Sequence, residues 1–153
     1  IGACGEFSEY VSMHIEKIPI NKKVYGEQTV YDENDEKISE IDYLLSTATD
    51  ITIEDASKQV HRLGGIFIPA HFDKSSYSVS SNLGFLPDGV ECDGIEIFDR
   101  NNLQSVYRLN QTLTDLPVFH NSDAHALYLI SEKENSIPLK EKSVEAFFEK
   151  MRR

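Results

Sequence analysis

The sequence contains no tryptophan, only two cysteines and no long run of apolar residues. A membrane-spanning helix needs about 18 or more consecutive apolar residues, so no transmembrane segment is expected. Cys4 and Cys92 form neither a CxxC pair nor a zinc-finger spacing, which favours two free thiols in a reducing cytoplasm over a disulfide bond. The opening residues, IGACGEFSEY, have no basic segment and no long apolar segment, so they are not expected to be a secretion signal.

Basic residues are also scarce, with 15 Lys and Arg against 26 Asp and Glu and a net charge of −11. A surface with this balance repels phosphate backbones and anionic lipids, so a broad surface for nucleic acid or membrane is not expected. A local site remains compatible with the charge, because a bound metal ion can supply positive charge itself. The length of 153 residues suits one domain with its own core.

The first 50 residues predict a helix and a hairpin. Apolar residues recur at steps of three and four from Phe7 to Ile18, which is typical of an amphipathic helix, and Pro19 stops the pattern. His14 lies on the apolar face of this helix and is expected to be structural. The stretch QTVYDENDEKI predicts a small surface hairpin with a solvated acidic turn.

From residue 51 onward, helices alternate with short apolar strands. Thr52 and Asp55 form a capping box for a helix that ends at Gly64-Gly65, and His61 near its end is expected to be a structural polar residue. The predicted strands are IFIPA (66–70), GIEIF (94–98) and PVFHN (117–121), and helices are predicted after the second strand and at 144–151. This alternation predicts an α/β fold with parallel strands and flanking helices.

Polar side chains follow the ends of the predicted strands. His71 comes after the first strand, and Asp123 and His125 come after the third. Because the carboxyl ends of parallel strands meet at one edge, these side chains are expected to lie close together. Imidazole and carboxylate groups are ligands for Zn, Mn or Fe(II). The alternatives are a hydrogen-bonded strand-end histidine at His71 and an Asx turn with an incidental histidine at Asp123 and His125.

Three further polar residues lie near this edge. His120 is inside the third strand and is expected to pack in the core or to support ligands from behind. Asp73 is expected either to orient His71 as a hydrogen-bond acceptor or to pair with Lys74. Glu96 is expected either to be structural or to pair with a neighbouring base.

Two stretches resemble a known family. GGIFIPAHFDKSSYS and NSDAH resemble the third and fourth motifs of PHP-domain (polymerase and histidinol phosphatase) phosphoesterases. In a clostridial-type group of these proteins YGEQ, an acidic hairpin, PAHxDKSSYS, SNLGF and NSDAH occur in this order, so the likeness runs from about Phe7 to the end of the chain. The resemblance implies a distorted (β/α)7 TIM-like barrel with a cluster of two or three divalent transition metals (Zn, Mn or Fe) at the carboxyl ends of the strands.

The resemblance also implies residue roles. His71, Asp123 and His125 are expected to be metal ligands, with Asp123 and His125 also taking part in catalysis. Lys74, Ser75 and Ser76 follow His71 directly and are expected to bind phosphate. The implied reaction is hydrolysis of a phosphomonoester or a nucleotide-type phosphate by a metal-activated water.

The sequence departs from the family at its start. The opening His-x-His motif, the Asp-His motif and the metal-binding Glu of PHP domains are not found in this sequence. Residues 1–153 are therefore expected to form a single domain that is the C-terminal part of a PHP domain and is incomplete for catalysis alone, since a whole barrel needs about 200 residues or more. The expected partners are a small phosphorylated substrate and either the missing N-terminal half or another copy of the chain. The alternative is a non-catalytic PHP-like module with a regulatory or assembly role.

Overall fold

The chain divides into two units between Thr52 and Ile53, and the structure, a computed structural model, describes residues 3–152. Helices and strands are mixed, and the described residues contain two small sheets and no closed barrel. No helix within residues 3–152 has the length and apolar character needed to cross a membrane. The helices are α1 (Cys4–Met13), α2 (Lys22–Tyr25), α3 (Ile53–Arg62), α4 (Val79–Leu83), α5 (Leu103–Leu109) and α6 (Val144–Met151). The strands are β1 (Thr29–Tyr31), β2 (Lys37–Glu40), β3 (Ile95–Glu96) and β4 (Val118–Phe119).

In the first unit, α1 ends earlier than the apolar pattern predicts. His14 follows its last residue, and Nδ1 of the His14 ring donates a 2.7 Å hydrogen bond to the Tyr10 carbonyl. The chain then becomes extended, and Ile15 forms an isolated antiparallel bridge with Thr49. The prediction of a helix up to Ile18 is therefore wrong after Met13, because the later apolar residues of the pattern belong to extended backbone.

The predicted surface hairpin is confirmed. β1 and β2 pair antiparallel, with Thr29 opposite Glu40. Asp32 organises the turn, since its Oδ1 accepts 2.9 Å hydrogen bonds from the backbone N–H groups of Asn34 and Glu36. None of residues 3–52 is fully buried.

The second unit opens with α3, and its end follows the sequence prediction. Gly64 has a φ of 73°, which glycine adopts without the steric cost of a side chain. The N–H of Gly64 bonds to the His61 carbonyl and the N–H of Gly65 to the Val60 carbonyl, both over 2.8 Å. This pair of bonds is a Schellman motif, so the predicted glycine C-cap is confirmed.

Three extended segments run side by side in the second unit. β3 and β4 pair in parallel, with Ile95 opposite Val118. Residues 66–70 lie along the other side of β3, where the carbonyls of Phe67 and Pro69 accept hydrogen bonds from Asp93 N (2.9 Å) and Glu96 N (3.2 Å). The acceptors Phe67 and Pro69 are two positions apart, whereas their donors Asp93 and Glu96 are three apart, so the pairing contains a bulge. Pro69 also has no N–H to donate, and the regular hydrogen-bond ladder is therefore broken. The predicted strand at 66–70 is therefore an irregular extended segment, while its parallel direction is as predicted.

The core lies against these segments. It is a cluster of six buried side chains: Phe72, Ile95, Ile97, Val106, Leu113 and Leu116. Burying a side chain of this size contributes about 1.5–3 kcal/mol each. The core therefore fixes the position of β3, whose carboxyl end lies at the edge where the predicted site residues are found.

Candidate metal site at the carboxyl edge of the sheet

His71 lies in a tight turn directly after the 66–70 segment. Its φ is 30°, and its backbone N–H donates a 3.1 Å hydrogen bond to Oε2 of Glu96. The ring nitrogen Nδ1 is buried and has no hydrogen-bond partner among the described residues. Buried polar atoms are nearly always bonded, so this nitrogen is the atom of the edge best suited to receive a ligand.

Asp73 fastens the same turn to the loop after β3. Its Oδ1 accepts from Phe98 N over 2.6 Å, and its Oδ2 accepts from Asp99 N over 3.0 Å and from Asn102 Nδ2 over 2.9 Å. Partial burial raises the pKa of Asp73, but these hydrogen bonds outweigh it and hold the pKa below its usual value. The partners differ from those expected from the sequence, because Asp73 bonds to this loop and not to the His71 ring or to Lys74.

Lys74 and Asp123 join the first and third segments. Lys74 Nζ lies 2.5 Å from Asp123 Oδ2 and 5.2 Å from the centroid of the Phe98 ring. The hydrogen bond from Lys74 lowers the pKa of Asp123, partial burial opposes it, and the charges of Lys74, His125 and His71 lower it further. Of the two histidines that the sequence grouped with Asp123, His125 is the one that contacts it among the described residues. The ion pair itself was not predicted.

His125 lies at the rim of this edge. Its side chain is 80% exposed, and its Nδ1 lies 4.0 Å from Asp123 Oδ1. Nδ1 also contacts the Asp123 carbonyl oxygen over 2.8 Å. A carbonyl only accepts hydrogen bonds, so Nδ1 carries a proton, and in the neutral ring Nε2 is the nitrogen with the free lone pair. His125 thus presents Nε2 as its ligand atom, outside any enclosed pocket.

His120 is held rigidly between two elements. Its ring Nδ1 donates a 3.0 Å hydrogen bond to the Ile97 carbonyl. Its backbone N–H donates to Asn135 Oδ1 over 2.9 Å, and its carbonyl accepts from Asn135 Nδ2 over 3.1 Å. These bonds fix both the ring and the backbone of His120, as a residue that supports neighbouring ligands from behind would require. Asn135 was missed in the sequence, because nothing in its surroundings marks it as a partner of a strand 15 residues earlier.

The predicted phosphate-binding residues lie a few positions before α4. Ser75 and Ser76 are exposed, whereas the neighbouring Ser78 is buried. Ser78 caps α4 through a capping box with Ser81, and its hydroxyl donates a 2.6 Å hydrogen bond to the Lys74 carbonyl. Ser78 therefore fixes the backbone from which Lys74 extends. A largely apolar cleft of about 470 Å³ opens beside this turn and includes His71 in its lining.

A second cleft lies at the opposite, amino-terminal edge of the segments. It has a volume of about 570 Å³ and is lined by residues that precede each segment, among them His61, Cys92 and Asp93. His61 Nε2 lies 2.8 Å from Asp93 Oδ2, and the same oxygen accepts from Phe67 N over 2.8 Å. His61 thus links α3 to the residues before β3; the sequence predicted a polar position near the helix end but not this contact.

The carboxyl edge offers donor atoms of types that bind transition metals. The unpartnered Nδ1 of His71 and the carboxylate of Asp123 are the ligand types that Zn, Mn and Fe(II) accept. Within residues 3–152, no three His, Cys, Asp or Glu side chains already form a group able to hold a metal. A metal bound here would have to displace Lys74 from Asp123 and draw His125 inward.

Comparisons of the chain with protein-family models, with curated proteins and with solved structures gave no match.

Proposed function

We propose that the carboxyl edge of the second unit is part of a metal-dependent phosphoesterase site of the PHP type. The observation that carries this proposal is the contact between Lys74 and Asp123, which are 49 residues apart. Lys74 belongs to the AHFDKSSYS stretch and Asp123 to NSDAH, so the contact brings together the two stretches that resemble PHP motifs. The buried, unpartnered Nδ1 of His71 lies in the same turn as Lys74.

In this proposal His71, Asp123 and His125 are the side chains that would hold the metal. A bound ion would supply the Lewis acidity that phosphoester hydrolysis uses. His120 supports the edge, because Ile97 and Asn135 fix its ring and its backbone.

The substrate is a phosphomonoester or a nucleotide-type phosphate. Lys74, Ser75 and Ser76 bind its phosphate group, and the cleft of about 470 Å³ beside His71 receives the organic part. Cys4 and Cys92 are free thiols, which supports a reducing, cytoplasmic location for the reaction.

The experiment is a metal analysis after dialysis against Zn²⁺ or Mn²⁺, with hydrolysis of an aryl phosphate as the second readout. Wild type and the control Asp88→Asn, an exposed loop carboxylate, are expected to retain metal. Asp123→Asn should weaken metal binding by about 100-fold or more, since loss of even an outer partner costs about 10–100-fold. Equal metal content in wild type and Asp123→Asn would contradict the proposal.

A non-catalytic module is the second candidate, and the ion pair itself favours it. A carboxylate that is neutralised by a lysine at 2.5 Å is already satisfied without a metal. If this candidate is right, wild type binds no transition metal, and Lys74→Met and Asp123→Asn each lower the free energy of unfolding. Metal content separates the two candidates, because both contain the ion pair in the metal-free chain and both predict that its loss lowers the free energy of unfolding.

A further inference from the structure

We propose that the 66–70 segment is an open sheet edge that binds an extended peptide of a partner protein, both apolar and basic, as an added β-strand. In this position the peptide extends the sheet of the second unit on the side opposite to β3. Neither a metal nor a phosphate takes part, so peptide binding is independent of the proposed function. A bound peptide fills the cleft beside His71 and excludes a small organic group from it.

The backbone of the 66–70 segment is paired on one side only. Phe67 uses its backbone groups toward β3, because its N–H donates to Asp93 Oδ2 over 2.8 Å and its carbonyl accepts from Asp93 N over 2.9 Å. Backbone groups of successive residues in an extended segment point to opposite sides. The N–H and C=O groups of Ile66 and Ile68 therefore point away from β3, and within residues 3–152 they have no hydrogen-bond partner.

These free groups recur at the period of a β-strand, which indicates the kind of ligand. Ile66 and Ile68 are two positions apart, and each offers one donor and one acceptor, the pattern with which an added strand pairs. Pro69 lacks an N–H, but it lies at a position that faces β3 and leaves the outer row complete. At the other edge of the sheet, Asn135 already covers the N–H and C=O of His120. An open edge is a template for another chain, so this segment is the place where a strand can be added.

The cleft beside this edge determines which side chains the added strand carries. Its volume is about 470 Å³, and Ile68 lines it together with Val79 and Leu83 of α4. Among the described residues, its lining contains no Asp, Glu, Lys or Arg. A charged side chain in the cleft would lose hydration without gaining a partner, so the side chains that enter it are apolar.

The charge of the chain selects the partner. A net charge of −11 makes two copies of the chain repel each other, so a second copy is disfavoured as the occupant. The same charge attracts a cationic peptide. Alternate side chains of a strand point to opposite faces, so basic residues can face away from the cleft while apolar ones enter it. The ligand that fits is an extended peptide in which apolar and basic residues alternate.

The test uses the whole 153-residue chain and a capped peptide of alternating valine and lysine, about seven residues long. Amide hydrogen exchange followed by NMR, relative to the intrinsic rates, is the first readout. Without peptide, the Ile68 N–H should exchange at least about 10-fold faster than the Phe67 N–H, which is bonded to Asp93. Saturating peptide should slow exchange at Ile68 by about 10-fold or more.

Two variants test the cleft by fluorescence anisotropy of the labelled peptide. Leu83→Lys places a cation in the cleft, whereas Leu129→Lys adds the same charge outside its lining, at a leucine of matching exposure (46% and 47%). Leu83→Lys should weaken binding by about 10-fold through like-charge repulsion, and Leu129→Lys by less than about 2-fold. Circular dichroism checks that both variants are folded.

Two modified peptides test the backbone pairing on the wild-type chain. One is N-methylated at its valines and the other at its lysines. Only one of the two sets of N–H groups can face the 66–70 edge, so one peptide should bind about 10-fold more weakly than the other. Equal binding of the two peptides overturns the pairing of backbones.

The other outcomes also decide. Exchange at Ile68 that stays fast under saturating peptide overturns the proposal. Equal weakening by Leu83→Lys and Leu129→Lys assigns binding to net charge and overturns docking in the cleft. Protection of Ile68 that grows with protein concentration, together with a dimer in sedimentation, identifies a second copy as the occupant and overturns the peptide. Metal content tests the proposed function separately from all of these.

Discussion

The carboxylate of Glu96 accepts a hydrogen bond from the backbone N–H of His71 over 3.1 Å. The backbone of Glu96 holds the same stretch twice more, since its N–H bonds to the Pro69 carbonyl over 3.2 Å and its carbonyl accepts from Phe72 N over 2.8 Å. One residue of β3 thus fixes the turn on both sides of His71. The position of the candidate ligand is set by a residue 25 positions further along the chain.

The first prediction concerns the hydrogen bond between the Glu96 carboxylate and the His71 N–H. Glu96→Ala leaves the His71 N–H without its acceptor and should lower the free energy of unfolding by about 1–2 kcal/mol, the usual cost of losing one partner of a partly buried hydrogen bond. Glu96→Gln keeps an acceptor oxygen of the same reach and should cost less than half as much. Urea denaturation followed by circular dichroism measures both. Equal destabilisation by Ala and Gln would show that the hydrogen bond to His71 does not hold the turn.

The second prediction is the pH dependence of the bonds made by Asp73. Its pKa is lowered in the folded chain, so its contribution to stability is complete above the pKa of an unfolded Asp, about 3.9, and is lost as pH falls through the lower folded value. Asp73→Asn turns an NH₂ group toward backbone donors and should cost about 1–2 kcal/mol at pH 7.

The measurement for Asp73→Asn is the difference in unfolding free energy from wild type between pH 7 and pH 3. The difference should be constant down to about pH 5 and shrink below about pH 4. Asp88→Asn, at an exposed loop position, serves as the control and should show little difference at any pH. A difference for Asp73→Asn that grows on acidification would contradict the assignment of its pKa.

The third prediction concerns the close approach of β3 and β4. A Cβ added to Gly94 would lie 2.9 Å from Phe119 Cε2 and 3.1 Å from the Pro117 carbonyl oxygen. Gly94→Ala should therefore cost about 1–3 kcal/mol, as overpacking usually does. Thermal unfolding of Gly94→Ala and of Gly94→Ala with Phe119→Leu tests this, and the double variant should recover part of the loss.

Gly5→Ala is the matched control for Gly94→Ala. Gly5 lies in α1, and a Cβ there meets no atom within 4 Å. Alanine favours a helix over glycine by up to about 1 kcal/mol, so Gly5→Ala should be neutral or stabilising. Destabilisation by Gly5→Ala as large as that by Gly94→Ala would mean that the cost is not steric.

The fourth prediction concerns the two thiols. Burial, with the nearby charge of Asp93, raises the pKa of Cys92 to about 12, while Cys4 is exposed. Because the thiolate is the reactive form, iodoacetamide at pH 8 should alkylate Cys4 well before Cys92. Mass spectrometry of the peptides gives the two rates, and in denaturing urea they should converge. Cys92 reacting as fast as Cys4 in the folded chain would contradict the partial burial of its thiol.

Local signals in the sequence predicted the local structure well. The acidic turn at Asp32 and the glycine cap at Gly64 are each set by neighbours within a few residues, and both predictions were confirmed. The helix at Phe7–Ile18 was predicted too long, because an apolar stripe at helical spacing does not reveal that Ile15 pairs with Thr49, 34 positions later. Contacts between distant segments override local periodicity.

At the candidate site, the sequence indicated the residues but not their partners. The motifs singled out His71, Lys74 and Asp123, and the structure brings Lys74 and Asp123 into contact. The bonds of Asp73 to the loop after β3 were not predicted, since they depend on where that loop turns. Which side chains pair across parallel segments depends on the register of the segments. The sequence does not indicate that register for an irregular segment such as 66–70.

The parallel pair β3–β4 has only two residues in each strand, and carboxylate and amide side chains complete the backbone bonding around it. Three polar side chains therefore have a structural role at the place where chemistry is proposed: Asp73, Glu96 and Asn135. In a mutagenesis screen scored by turnover in cell lysate, changes at these three positions would mimic changes at reactive groups. Only activities normalised to the amount of folded protein would distinguish structural residues from catalytic ones.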